Sequence, residues 1–155
     1  VGAIIREMKP VTVSTTVSKP RQDVFEFLEV LANHTSFMDH LFVDWSFAGP
    51  ARGVGARARA RVSAPGSREW AEFEVVEAKR AERIVEEGVS ANGKRRTRGT
   101  YRFDDLPEGG TGISFELAWT SVPRSERLLP PLARVFVRRA NGRAMRRLAK
   151  QLDRR

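Results

Sequence analysis

Few side chains in this chain of 155 residues have the types and spacing that support chemistry. His34 and His40 are the only histidines, and with Asp39 and Asp44 nearby they are the one place to look for metal ligands. No HExxH run or two-His, one-carboxylate spacing accompanies them, so neither a metal nor another cofactor is expected. They are expected instead at the surface or at a cavity mouth, with His40 the one to touch a ligand. Acid–base work needs a carboxylate or histidine held inside a pocket. Glu87 meets that need if Val85 and Val89 face inward; the opposite phase turns Ile84 and Glu86 inward instead. Tyr101 offers a phenolic donor to a carbonyl oxygen, as cyclisation or dehydration requires, although an inward tyrosine more often satisfies its hydroxyl with backbone or water. Thiol chemistry is excluded because there is no cysteine, and no Gly-x-Ser-x-Gly nucleophile turn occurs.

The stretch GPARGVGARARARV, residues 49–62, first reads as a phosphate loop or a basic tract. A Rossmann turn would need glycine where Ala58 stands and a helix afterwards, and a Walker loop would need Gly-Lys-Ser/Thr. Instead, Ala56, Ala58, Ala60 and Val62 alternate with Arg57, Arg59 and Arg61, the period of a strand with one small face and one cationic face. The glycines make a turn into that strand.

The composition, 41% hydrophobic and 30% charged, is that of a globular chain. No apolar run approaches the roughly 20 residues of a membrane span, and the N-terminus has no signal-peptide core, so a cytoplasmic protein is expected. Of the 28 lysines and arginines, those from Arg124 onward face only Glu126 and Asp153, and the net charge of +9 belongs to that segment. Its basic helix, with Lys94-Arg95-Arg96-x-Arg98, admits an anionic membrane or nucleic acid as partner. No recognition helix or stacking platform supports the second, and a solvated face of a structural helix explains the charge as well.

Val11 to Val17 alternates apolar with small polar residues, as a half-buried strand does. Ser18-Lys19-Pro20 offers a helix N-cap, and Val24, Phe25, Leu28 and Leu31 recur at helical spacing for about three turns. A short helix or turn is expected over 33–41. Strands are expected near 43–48, 56–62, 69–78, 83–90, 95–104 and 112–122, broken at Gly49-Pro50, Pro65-Gly66, Asn92-Gly93 and Gly109-Gly110. With no room for crossover helices, the sheet is antiparallel. A long helix closes the chain to Leu152. Its apolar residues form two faces, one with Leu129, Leu132, Phe136 and Ala140 and one with Ala144, Met145, Leu148 and Leu152, which predicts a break or kink at Asn141-Gly142.

This order resembles the helix-grip fold of the START/Bet v 1-like superfamily and, within it, the bacterial polyketide cyclase/dehydrase and lipid-transport group. The resemblance rests on Val11 to Leu28, a strand running into a Pro-x-x-x-Val-Phe helix, on Gly49-Pro50-x-x-Gly53-Val54-Gly55-Ala56, and on Gly110-Thr111 before the alternating Ile113 to Leu117. It implies one α+β domain over 1–155, with an extension over 1–10, about seven bent antiparallel strands, and a closing helix in 124–155. It further implies a hydrophobic cavity between sheet and helix, with Leu132 and Phe136 on the helix side. The wall would be Tyr101, Phe103, Phe115, Leu117 and Trp119, joined by Phe73 and Trp45. The expected function is binding or transport of a lipid, sterol-like or polyketide-like molecule. The alternatives are a cyclase, aromatase or dehydratase acting in the same cavity, and a regulatory protein using the basic helix. The family carries no shared catalytic signature, so Tyr101 and Glu87 stand on the residues alone.

Overall fold

A computed structural model describes residues 9–126 and 130–155. Most of the expected extension, 1–8, and part of the approach to the last helix, 127–129, lie outside the described residues. The seven strands are β1 (Val11–Val17), β2 (Phe42–Ala48), β3 (Arg57–Val62), β4 (Trp70–Lys79), β5 (Arg83–Ser90), β6 (Arg95–Asp105) and β7 (Thr111–Ser121). They form one antiparallel sheet in the order β1-β7-β6-β5-β4-β3-β2. Between β1 and β2 run α1 (Arg21–Leu28), a 3-10 turn (Leu31–His34) and α2 (Thr35–Met38), and α3 (Pro130–Asp153) ends the chain. The strands fall where period-2 alternation and turn residues place them.

Pairing register decides which side chains share the concave face. One row reads Ile84, Tyr101, Phe115 and Val13; the next reads Glu86, Gly99, Leu117 and Val11; a third reads Ala58, Phe73, Gly88, Thr97 and Trp119. Ala56, Ala58 and Ala60 are buried, whereas Arg57 and Arg59 are exposed, so the alternation in the Ala/Arg stretch sorts two faces as expected. Bulges interrupt β2 between Val43 and Ser46 and β4 between Val75 and Glu77. Such bulges bend the strand that carries them.

Two local expectations are corrected. Ser18 does not cap α1: Pro20 holds the N-cap position without a side-chain bond, and its carbonyl accepts from Asp23 and Val24 N–H at 3.0 and 3.2 Å. The Ser18 N–H and hydroxyl both donate instead to Asp153 Oδ1, each at 2.9 Å, tying the end of α3 to the exit of β1. Nor does α3 break at Asn141-Gly142, for it is one helix of 24 residues. A mid-helix glycine costs only about 1 kcal/mol, which burial of Ala144, Met145, Leu148 and Leu152 on the sheet exceeds. The two apolar faces mean that the two halves of α3 meet different surroundings.

Gly49 is the turn residue on which the hairpin from β2 to β3 depends. It has φ +78°, and a Cβ there would stand 2.4 Å from the Gly55 carbonyl oxygen, a backbone atom that cannot swing aside. Gly66, at φ +73°, has open space around it. Gly49→Ala should therefore destabilise the protein by about 3 kcal/mol, and Gly66→Ala by about 1 kcal/mol, the left-handed backbone cost alone. Urea unfolding of the two variants checks the difference; equal losses would show that the close approach is relieved at little cost.

Candidate functional site

The concave face has a closed end and an open end. At the closed end, Ile84, Tyr101, Phe103, Ile113 and Phe115 join Phe25, Met145, Leu148 and Leu152 in one buried cluster. Tyr101 and Phe115 rings lie 4.5 Å apart, and Phe25 meets Phe103 edge-on at 6.4 Å. Phe115 leans over Gly99 so closely that a Cβ there would sit 2.8 Å from its ring. Tyr101, Phe103 and Phe115, expected on a cavity wall, are thus packed core. The space above the buried Ala56 and Ala58 is shared with Leu31 and Phe37 in the same cluster. Trp119 closes a second small cluster with Val11 and Val122, against Ala133 and Val137 of α3, and Leu117 touches both clusters.

Polar groups sit inside this packed end. His34, 2% exposed, holds the Leu28 carbonyl at 2.8 Å through Nε2. Because a carbonyl only accepts, Nε2 carries a proton, and Nδ1 is the nitrogen that faces Glu86 Oε1 at 3.6 Å. That separation is too long for a hydrogen bond, and Glu86 Oε1 is buried without a partner among the described residues. Burial pushes the Glu86 carboxyl above the usual carboxylate range, partly offset by His34. Burial also pushes the Tyr101 phenol well above its ordinary value, with Glu86 adding to the effect. A histidine, a reluctantly ionised carboxyl and a phenol are the makings of a proton relay. Strand phase resolves against Glu87, which is exposed on the convex face opposite Arg98 at 3.4 Å.

The open end is aromatic. Phe42 meets Trp45 at 5.8 Å and Phe73 at 5.1 Å, both nearly perpendicular, while Trp45 stacks on Phe47 at 6.1 Å and on Phe73 at 6.1 Å. Of the four, only Trp45 and Phe73 are visible as candidates in the sequence. Strict alternation would put Phe42 on the opposite face from Trp45 and Phe47; the β2 bulge brings the three together. His40 stands where this end begins. Its Nε2 donates to the Ala140 carbonyl at 2.9 Å, and its Nδ1 lies 3.2 Å from Arg147, which can only donate. Expected as a ligand contact, His40 is a clasp between the chain leading into β2 and α3. Arg147 also binds the Asp39 carboxylate, holding that carboxyl below its ordinary range, and the Ser36 carbonyl.

Beyond the clasp, α3 leaves the sheet's aromatic end uncovered. Phe136 and Leu132 lie one and two turns before Ala140 and are each 66% exposed on the outer side of α3, rather than facing a cavity between sheet and helix as expected. Phe47 is 46% exposed on the strand side. Two depressions, of about 590 and 490 Å³, share Arg59, Glu72 and Val89; the first is lined mostly by charged and polar groups, and the second also takes in Phe47, Ala58 and Phe73 of the aromatic end. No cluster of three or more His, Asp or Glu side chains placed to hold a metal ion occurs among the described residues. No helix among them is long and apolar enough to cross a membrane.

Solved structures share this architecture. TTHA0849 from Thermus thermophilus is similar over 93% of this chain and 97% of its own, with 20% identity and a TM-score of 0.69. Ara h 8.0201 is similar over 95% and 99%, with 10% identity and a TM-score of 0.71. DynU16, a protein of the dynemicin biosynthetic locus, is similar over 94% of this chain and 49% of its own, with 16% identity and a TM-score of 0.60. No family model and no curated protein sequence matches the chain. At these identities the likeness is one of fold: the chain has the helix-grip architecture of these structures, a seven-stranded antiparallel sheet with a long C-terminal helix.

The two shifted carboxyls predict opposite responses to pH. Glu86 gives up its proton at higher pH in the fold than in the unfolded chain, so its contribution is most favourable below the unfolded value and is lost as pH rises through the folded one. Asp39 is lowered, so its contribution is present above the unfolded value and is lost on acidification. Glu86→Gln should raise stability at neutral pH, with the gain vanishing below the carboxylate range. Asp39→Asn should lower it at neutral pH, with the loss vanishing there. Denaturant titrations at several pH values measure both; a Glu86→Gln gain that persists in acid would reject burial of the charge as its cause.

Proposed function

We propose that the open, aromatic end of the concave face binds a hydrophobic small molecule, of lipid, sterol-like or polyketide-like chemistry. The observation that carries this reading is the cluster of Phe42, Trp45, Phe47 and Phe73 at the edge of the concave face, part of which is left uncovered. Phe47 is exposed on strand β2, and the other three rings are half-buried behind it. Soluble domains rarely leave such patches without a use. Rings stacked as Trp45 is on Phe47 and Phe73 suit a flat, apolar ligand. Covering about 200 Å² of apolar ligand surface would contribute about 5 kcal/mol before the costs of association. DynU16 belongs to a biosynthetic locus, which recommends natural products as the first compounds to try.

A cyclase or dehydratase is the second reading, and the buried, unpartnered Glu86 carboxyl beside His34 and Tyr101 favours it. It ranks second because Phe115 fills the space over Gly99, next to Glu86, where a substrate would have to lie. On this reading Glu86→Gln abolishes turnover while leaving binding intact.

Calorimetric titration with N-phenyl-1-naphthylamine, an uncharged aromatic probe, tests the site. Trp45→Ala and Phe73→Ala should each weaken binding about tenfold or more, the loss typical of an aromatic anchor. Tyr101→Phe, in the closed core, should leave it unchanged. Failure to bind this probe and a panel of lipids and polyketides would reject the reading.

A further inference from the structure

Leu132, Phe136, Arg139, Arg143, Arg146 and Lys150 succeed one another along α3 at steps of four, three, four, three and four, and all six are exposed. They form a single stripe about 27 Å long. Its first third is apolar and the rest is cationic. Val135, 53% exposed, widens the apolar part, and Arg138 widens the basic part. Leu132, Val135 and Phe136 are three of the six large apolar side chains left exposed among the described residues, gathered within little more than one turn. The cations are equally unmatched. Arg147, on the neighbouring face, pairs with Asp39, whereas Arg138, Arg139, Arg143, Arg146 and Lys150 make no ion pair among the described residues.

We infer that this face of α3 docks on the surface of an anionic lipid bilayer. The helix lies in the plane of the interface. Leu132, Val135 and Phe136 enter the acyl boundary, and the guanidinium and ammonium groups meet lipid phosphates. Charge selects this partner over the others. A second copy of the chain would set cationic stripes against each other or against apolar side chains. A nucleic acid would satisfy the arginines but give Leu132, Val135 and Phe136 nothing to bury against. An anionic bilayer alone answers both ends of the stripe. The inference stands whether or not the aromatic opening takes a ligand.

The full chain is sedimented with vesicles of phosphatidylcholine alone and of phosphatidylcholine mixed with phosphatidylglycerol, and titrated with duplex DNA. Binding to the mixed vesicles should be at least about tenfold stronger than to phosphatidylcholine alone, weakening with salt. The triple variant Arg139→Glu, Arg143→Glu, Arg146→Glu should lose it. Phe136→Ser should weaken vesicle binding several-fold while leaving its salt dependence unchanged. Circular dichroism and N-phenyl-1-naphthylamine binding of the triple variant separate loss of docking from loss of fold or of the opening. Equal binding to both vesicle types, or none to either, would overturn the inference. So would DNA binding as strong as vesicle binding and indifferent to Phe136→Ser.

Discussion

Leu148 and Leu152 enter the concave face of the sheet with Met145 and Ala144, and the last turns of α3 have no freedom beyond that seat. Around it stand Asp153 with Ser18, Gln151 with Ser36, Arg147 with Asp39, and His40 with the Ala140 carbonyl. A bent sheet and one continuous helix cannot stay in contact along their whole length. Where the helix is pinned at its C-terminal half, the described part of its N-terminal half meets the small cluster around Trp119 and, through Arg134, the Lys9 and Pro10 carbonyls. The exposed apolar side chains and the cationic stripe of α3 lie on the side turned away from this seat.

Polarity is distributed around that seat with some tolerance for cost. On the convex face Arg59 lies 3.8 Å from Glu72, and Arg98 3.4 Å from Glu87. Such exposed pairs contribute about 0–1 kcal/mol each; their main effect is a solvated outer surface. Arg59 also lies 4.1 Å over the Trp70 ring, which shields an otherwise exposed indole. Inside, Glu86 is kept although burial works against its charge. Its neighbours in the row, Gly99 and Leu117, offer it no hydrogen bond from their side chains, and His34 is held at a distance by its own bond to Leu28.

Much of this was legible in the sequence. Alternation, turn residues and the alanine–arginine strand gave the sheet its strands and its two faces, because period and turn chemistry are local properties. The features that escaped depend on events with no local signature. A bulge in β2 brings Phe42 round to Trp45. Glu86 rather than Glu87 turns inward because Ile84 pairs with Tyr101 across the sheet, a fact of register. Ser18 looks like a cap, yet its partner is Asp153 at the far end of the chain. Leu132 and Phe136 have the spacing of core residues, but the pinning of α3 elsewhere decides that they stay uncovered.

The strand order also carries a kinetic meaning. β2 to β7 are joined in sequence by short turns, so each pairing can close soon after its neighbour. β1 is the exception: Val11 pairs with Leu117, across nearly the whole meander, and α3 must then seat between β1 and α2. Long loops close late because their entropy is lost before any contact rewards it. On that ground β1 and α3 are expected to join the meander after its hairpins have paired. Until they do, β7 is an edge strand with unpaired backbone groups, which makes this stage the one most exposed to wrong pairing with another chain.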